Sequence, residues 1–248
     1  MPEVKLIHGD CLDILPTLTE QVDAIITDLP YGTTACKWDI IIPFEPMWEQ
    51  VKRVLKPRGV FVTTASQPFT SLLVCSNLEW FKYCWVWEKT NAKGHLNSKI
   101  RPLMATEDIC VFSAGNHTYN PQGLVAGTFN NSRPAKARKT QGVSAYGLER
   151  EFGNSDFTNY PRNILKIPNP NNSSQHPTQK PVALYEYLIR TYTNEGDTVL
   201  DIAAGSGTTG EAAIKTNRNC ILIEKDERYF AIAQRRIKDA LQQPGLFA

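Results

Sequence analysis

The most constraining feature of this chain is the stretch TVLDIAAGSGTTGE at 198–211. A short apolar run ends in Asp201 and passes into three glycines spaced GxGxxG (Gly205, Gly207, Gly210), after which helical character begins. A tight turn there needs unrestricted φ, and a ligand that meets the backbone needs the missing side chain; glycine supplies both. The next apolar run, Cys220–Glu224, ends in a carboxylate placed to accept hydrogen bonds from ribose hydroxyls. Strand, loop, helix and acid together describe a nucleoside-binding half-site. The plainer alternative is a glycine-rich turn with no ligand, and the four features in sequence count against it. Glu211 stands where a phosphate-cradling P-loop carries lysine, which disfavours NTPase chemistry. One strand and one helix follow the loop, so the rest of the sheet must come from residues before it. That permuted order points away from a dehydrogenase.

The preceding residues can supply such a sheet. Apolar runs predict strands at Val4–His8, Val22–Thr27, Gly59–Thr64, Phe81–Trp87, Asp108–Ser113 and Thr198–Ile202 besides Cys220–Glu224. Helical spacing is found at Phe44–Leu55, Phe69–Ser76, Val182–Tyr192, Thr208–Thr216 and Glu227–Leu241. The stretch Lys56-Pro57-Arg58-Gly59 reads as the terminator of the first of these helices. Strands alternating with helices predict an α/β fold, a parallel sheet with helices on both faces. Residues 114–172 differ: rich in Asn, Gly, Pro and Ser, without sustained period, they read as a loop-rich insertion. The expected organisation is 1–113, the insertion 114–172, then 173–248.

Composition narrows the class. An apolar share of 42% with 21% charged residues is that of a globular chain, not a disordered one. No apolar stretch approaches a membrane span and no secretory signal opens the chain, so a cytoplasmic protein without membrane association is expected. The six cysteines show no metal-ligand spacing, so no metal site is expected and the thiols read as reduced. The four histidines are scattered, and Trp80, Trp85 and Trp87 read as core. Net charge is only +2, but nine basic residues against three acidic ones lie between Lys89 and Arg150, including the run Arg133, Lys136, Arg138, Lys139. Positive charge is therefore concentrated in and before the insertion.

A second constellation, Asp28-Leu29-Pro30-Tyr31-Gly32, directly follows the strand Val22–Thr27. In open α/β sheets ligands bind at the carboxyl ends of strands. There Asp28 and the carbonyl of Leu29 can accept both hydrogens of a planar exocyclic amine, while Tyr31 stacks on the ring that carries it. Taken alone, this stretch reads more readily as a turn with a capping aspartate and a packed tyrosine.

With His176-Pro-Thr178-Gln-Lys180-Pro181 between them, the two constellations resemble the signature of the beta-class amino methyltransferases of DNA: D-P-P-Y, an H-P-T-Q-K-P-type segment, then a D-x-x-x-G-S-G-T loop. The resemblance covers most of the chain outside the irregular middle. It implies a permuted Rossmann-like methyltransferase sheet with an inserted target-recognition region. It implies S-adenosylmethionine as cofactor, held by Asp201, Ala203, Gly205, Ser206, Gly207 and Thr208 around its methionine part. Glu224, with Lys225 beside it, would take the ribose, Asp10 and Cys11 the adenine, and Thr178 and Lys180 the methionine carboxylate. Asp28, Leu29, Pro30 and Tyr31 would hold a flipped base of double-stranded DNA. In the inserted region Lys136, Arg138 and Lys139 suit its phosphates, and Asn130, Asn131 and Arg133 its base edges. Leu29 departs from the family's usual proline; it keeps the carbonyl but loses the fixed φ. Aspartate at 28 favours the adenine N6 amine, since the related cytosine-N4 enzymes commonly carry serine there. A homodimer and a cognate restriction enzyme are left open, as are cytosine-N4 methylation, methylation of RNA or a protein glutamine, an NAD-dependent oxidoreductase and a non-catalytic DNA-binding module.

Overall fold

Side chains alternate across a strand, so a strand apolar on both faces must be covered on both. Five strands here are of that kind. In the computed structural model, which describes residues 2–34, 36, 39–130, 154–169 and 179–242, they lie between two helical layers. The elements in the first half are β1 (Val4–His8), α1 (Cys11–Ile14), β2 (Val22–Thr27), α2 (Phe44–Val54), β3 (Leu55–Ala65), α3 (Phe69–Ser76), β4 (Phe81–Lys93) and β5 (Met104–Phe112). Then come β6 (Val125–Asn130), β7 (Asn154–Thr158), β8 (Ile164–Lys166), α4 (Val182–Tyr192), β9 (Thr198–Asp201), α5 (Thr208–Lys215), β10 (Asn219–Glu224) and α6 (Glu227–Gln242).

Ala24 and Ile26 of β2, Val60 and Val62 of β3, and Ile109 and Val111 of β5 face one layer, packed with Leu184, Tyr185 and Leu188 of α4, Ala213 of α5 and Ile237 of α6. Ile25, Phe61, Cys110 and Phe112 face the other, against Met47, Trp48 and Val51 of α2 and Phe69 and Leu73 of α3. Each large apolar side chain fully buried this way contributes roughly 1.5–3 kcal/mol. Trp85 and Trp87 are core residues, with their indole N–H groups donating to the Tyr192 hydroxyl (2.6 Å) and the Ile167 carbonyl (2.8 Å).

The sheet order is β1-β10-β9-β2-β3-β5-β4-β8. Five strands from β1 to β3 run parallel; β5 is antiparallel to both its neighbours, and β8 pairs parallel to β4. This is the permuted order expected, with the C-terminal pair β9 and β10 inserted between β1 and β2. The crossover after β2 uses the layer of α2, the one after β9 uses the layer of α5, and so the connections part between β2 and β9. The carboxyl ends at such a parting form a ligand crevice.

Three stretches differ from the sequence expectation. Lys56–Gly59 is not a separate terminator: α2 runs directly into β3, and the Val22–Leu55 and Ala24–Val60 pairs leave these residues as a bulge. The strands β4 and β5 extend to Lys93 and back to Met104, because their polar ends pair with each other without an apolar pattern to announce them. Ile164–Lys166, inside the stretch read as irregular, adds β8 to the main sheet. Packing divides the chain into a larger unit, Met1–Asn120 with Asn163–Ala248, and a smaller one, Pro121–Arg162. Within the smaller unit β6 and β7 pair antiparallel, and the Asn159 amide donates to the Gly123 carbonyl at 2.7 Å. Among the described residues no helix is long and apolar enough to cross a membrane.

In α5, Gly210 lets the helix lie close on β10: a Cβ there would stand 2.6 Å from Leu222 Cδ1 and 3.3 Å from Ile237 Cγ1. Both neighbours are buried in the core, so Gly210→Ala is expected to destabilise by about 1–3 kcal/mol and lower the melting temperature in a thermal unfolding experiment.

Candidate active site

The structure brings β2 and β9 side by side although some 170 residues separate them, with Ala24 against Val199 and Ile25 against Leu200. Asp201 locks their carboxyl ends together. Its Oδ1 accepts from the Thr27 hydroxyl (2.7 Å) and the Ala203 amide (3.0 Å), and its Oδ2 accepts from the Thr209 hydroxyl of α5. Burial pushes its carboxyl up to about 6 despite those donors.

The glycine loop follows. Gly205 and Gly207 both take the left-handed conformation, at φ +52° and +80°. A Cβ on Gly205 would meet nothing within 4 Å, so this residue opens a cradle. Gly207 serves packing instead: a Cβ there would stand 2.9 Å from the Cβ of Ala233 on α6. The Gly205 amide donates to Glu224 Oε2 (2.6 Å) and the Asp226 amide to Oε1 (2.7 Å), which fixes the Glu224 carboxylate at the end of β10. Burial outweighs these bonds and raises the Glu224 carboxyl to about 7. Arg236 of α6 buttresses the loop from behind. One guanidinium nitrogen donates to the Ser206 carbonyl (2.7 Å), the Ser206 hydroxyl (2.9 Å) and Thr208 Oγ1 (3.3 Å), and another donates to Glu211 (2.8 Å). Nearby, Lys225 pairs with Asp10 at 2.7 Å, while Asp10 also caps α1 through the Leu12 amide. Cys11 is buried, and burial followed by the Asp10 charge raises its thiol to about 12, so it stays protonated.

Asp28 begins the loop after β2. Its Oδ1 accepts from the hydroxyls of Thr64 and Tyr31, the latter at 2.9 Å, and its Oδ2 accepts from the Lys180 ammonium at 2.7 Å. Lys180, expected at the methionine end of a cofactor, lines one cavity with the glycine loop, and its ammonium joins Asp28 to Glu107 of β5 (3.3 Å), while Glu107 in turn pairs with Lys89 of β4 (2.5 Å). Two carboxylates and two ammonium groups are thus compensated beneath the loop. Burial works against the Lys180 charge, but Asp28 and then Glu107 outweigh it and hold the ammonium above its ordinary pKa. Burial likewise pushes Glu107 up, and Lys180 and Lys89 outweigh it to hold the carboxyl low. Tyr31 stacks on Phe69, ring centroids 5.2 Å apart, and burial, with the charges of Asp28 and Glu107, holds its hydroxyl protonated as a donor. Leu29 is buried in the α2 layer, and this anchoring takes the place of the ring that a proline would supply. Asp39 stiffens the loop further by accepting from the amides of Gly32 (2.8 Å), Thr33 (2.9 Å) and Thr34 (2.7 Å).

One continuous cavity of about 690 Å³ joins these groups. Asp10 and Cys11 line one part, Asp201, Ala203, Gly205, Ser206, Thr208, Glu224 and Lys225 another, and Asp28, Leu29, Pro30, Tyr31 and Lys180 a third. Gly207 alone of the described cofactor and target-base candidates is not in its wall. Thr178, His176 and the basic run Arg133, Lys136, Arg138 and Lys139 lie outside the described residues, as does Asn131. Sequence reasoning missed Thr64, Glu107, Lys89 and Arg236. Thr64 stands one residue before the end of β3, the strand next to β2, so a sheet order would have found it; Lys89 and Glu107 count in the sequence only as charges.

Comparison with known proteins agrees with this geometry. The family model for DNA methylase, N6_N4_Mtase, matches residues 22–235. The DNA adenine methyltransferase YhdJ of Escherichia coli (strain K12) is 33% identical over 251 residues, covering 94% of this chain and 82% of that protein. The type II methyltransferase M.HpaI of Haemophilus parainfluenzae is 31% identical, covering 94% and 74%. The crystal structure of the M1.HpyAVI–SAM complex superposes with TM-score 0.65 at 26% identity over 94% of this chain and 99% of that one. The cytosine-N4-specific PvuII DNA methyltransferase, 20% identical with coverage of 97% and 92%, has the same fold at TM-score 0.68. With a family model spanning most of its length and a relative matched nearly end to end, the chain belongs to the N6/N4 DNA methylase family.

Proposed function

We propose that this chain is an S-adenosylmethionine-dependent DNA methyltransferase that modifies the exocyclic N6 amine of adenine, and that it works in the cytoplasm, where its DNA substrate is. The observation that carries the proposal is the shared cavity: an acidic acceptor after β2 and an open glycine cradle after β9 line the same space. Its volume lies within the roughly 300–1,000 Å³ usual for small-molecule sites. The names of YhdJ, an adenine methyltransferase, and of the SAM-bound neighbour support target and cofactor.

The residues fit the cofactor. Gly205 leaves room for its close approach, Glu224 keeps acceptor capacity for ribose hydroxyls, and Asp10 and Cys11 form the wall assigned to its adenine. When bound, S-adenosylmethionine supplies a methyl group activated on a sulfonium. The protein prepares the nucleophile. An adenine amine is weak because its lone pair is delocalised into the ring. Oδ1 of Asp28 has both lone pairs taken by Thr64 and Tyr31, whereas among the described residues Oδ2 accepts from Lys180 alone. Oδ2 therefore has a lone pair for one amine hydrogen, and the Leu29 carbonyl takes the other. Both bonds localise the nitrogen lone pair and orient it. Lys180 fixes Asp28 in rotation, and Glu107 with Lys89 holds Lys180. The base must leave the duplex to arrive here, at a cost of a few kcal/mol.

Sequencing modified bases in DNA from cells that express the chain tests the whole reading. N6-methyladenine is expected; methyl groups on cytosine N4 would replace the adenine assignment, and unmodified DNA would end it. Asp28→Ala is expected to lower methyl transfer roughly 10²–10³-fold while calorimetric S-adenosylmethionine affinity holds. Lys180→Gln is expected to cost roughly 10–100-fold in kcat, again with cofactor affinity held. A selective loss of that affinity would return Lys180 to the cofactor end. Ribose hydroxyls donate to a carboxylate, so binding favours deprotonated Glu224. Affinity should weaken roughly tenfold from pH 8 to pH 6 as Glu224 gains its proton near 7. In Glu224→Gln it should be weak and flat across that range.

A further inference from the structure

The hairpin between β4 and β5 starts at the base-holding end of the cavity. Thr64, the donor to Asp28, pairs with Ile109 of β5, and from Ile109 the strand reaches back five residues to Met104. At about 3.4 Å per residue that is about 17 Å beyond the level of Asp28. The root of the hairpin is the Lys89–Glu107 pair that holds Lys180. Its tip is a built turn: the Asn97 amide donates to Gly94, Ser98 to His95, and Ile100 and Arg101 to Asn97. This turn presents two large apolar side chains to solvent, Leu96 fully exposed and Ile100 at 83%. Around them Lys93, Lys99 and Arg101 are exposed and have no ion pair among the described residues. No acidic residue lies between Glu88 and Glu107.

We propose that this tip is a duplex-DNA wedge, with Lys93, Lys99 and Arg101 on phosphates and Leu96 and Ile100 entering the stack where the target base leaves it. The inference rests on the DNA methyltransferase reading and adds the surface that opens the duplex. Cations beside a protruding apolar pair suit the two chemistries of a duplex, anionic backbone and stacked bases, and apolar wedges between base steps are an established way of unstacking them. A second copy of the chain fits less well, since two tips of the same positive charge would repel.

The test uses the full chain, a fluorescein-labelled 30-base-pair duplex of mixed sequence, and plasmid DNA with tritiated S-adenosylmethionine. Changing Lys93, Lys99 and Arg101 together to Gln should reduce the slope of log affinity against log salt by about 2.7, at 0.9 per phosphate contact. Leu96→Ser with Ile100→Ser should leave that slope and calorimetric S-adenosylmethionine affinity unchanged, but lower plasmid methylation roughly tenfold. An unchanged slope in the first variant, or an unchanged transfer rate in the second, overturns the inference. So does a wild-type dimer in sedimentation that the Leu96 and Ile100 changes turn into monomer, which would assign the tip to a second copy. A wild type that binds S-adenosylmethionine yet labels no DNA overturns both the wedge and the reading beneath it, and is told apart from the other outcomes by the wild-type control alone.

Discussion

The carboxylate of Asp201 is the joint on which the site depends. Parallel strands meet through their backbones, and nothing in that pairing specifies how the loops beyond their ends are aimed. Asp201 supplies the aim by accepting at once from β2, from its own loop and from α5. Because Thr27 is one of its donors, the residue immediately before Asp28 is fixed to the residue that begins the glycine loop. A buried carboxylate with three protein donors costs less than one without partners, yet burial still raises its pKa. The arrangement is polar where a purely apolar contact would leave the two loops free to slide.

Asp28 presents the complementary problem. The acceptor proposed for an incoming amine stands in a partly buried place. The fold answers with alternating charges, Asp28, Lys180, Glu107 and Lys89, contributed by four separate segments. Lys180 and Lys89 are each 7% exposed, so removing one member strands the rest in a poorly solvated setting, at a cost of roughly 3–5 kcal/mol for a buried pair. The network thereby ties the acceptor loop to the β4–β5 hairpin, two regions with no sequence proximity.

Local signals made the outline legible. The apolar run of β2, the glycines after β9 and the spacing of α4 and α6 each declare themselves within a short stretch of chain. What escaped was non-local. Thr64 matters because β3 lies next to β2, and Glu107 because β5 comes next in the sheet; neither fact is written in spacing along the chain. Lys89 looked like part of a basic surface and is instead a buried counter-ion. Lys180 sat in a recognisable motif, yet its partner was set by the sheet, not by the motif. Gly207 fitted the loop pattern while serving the packing of α6. The short β8 carried too few residues to show a period.

The pairing of β1 with β10 has a consequence for how the molecule is made. Residues Val4 to His8 leave the ribosome well before β10, to which they bond from Val4–Cys220 to His8–Glu224 and which comes more than 200 residues later. At about 5–20 residues per second the nascent segment waits some 10–40 s with its backbone unmatched. Although β1 is made before the other strands of its sheet, it is among the last able to dock, so β2 and β3 can pair before β1 finds its place.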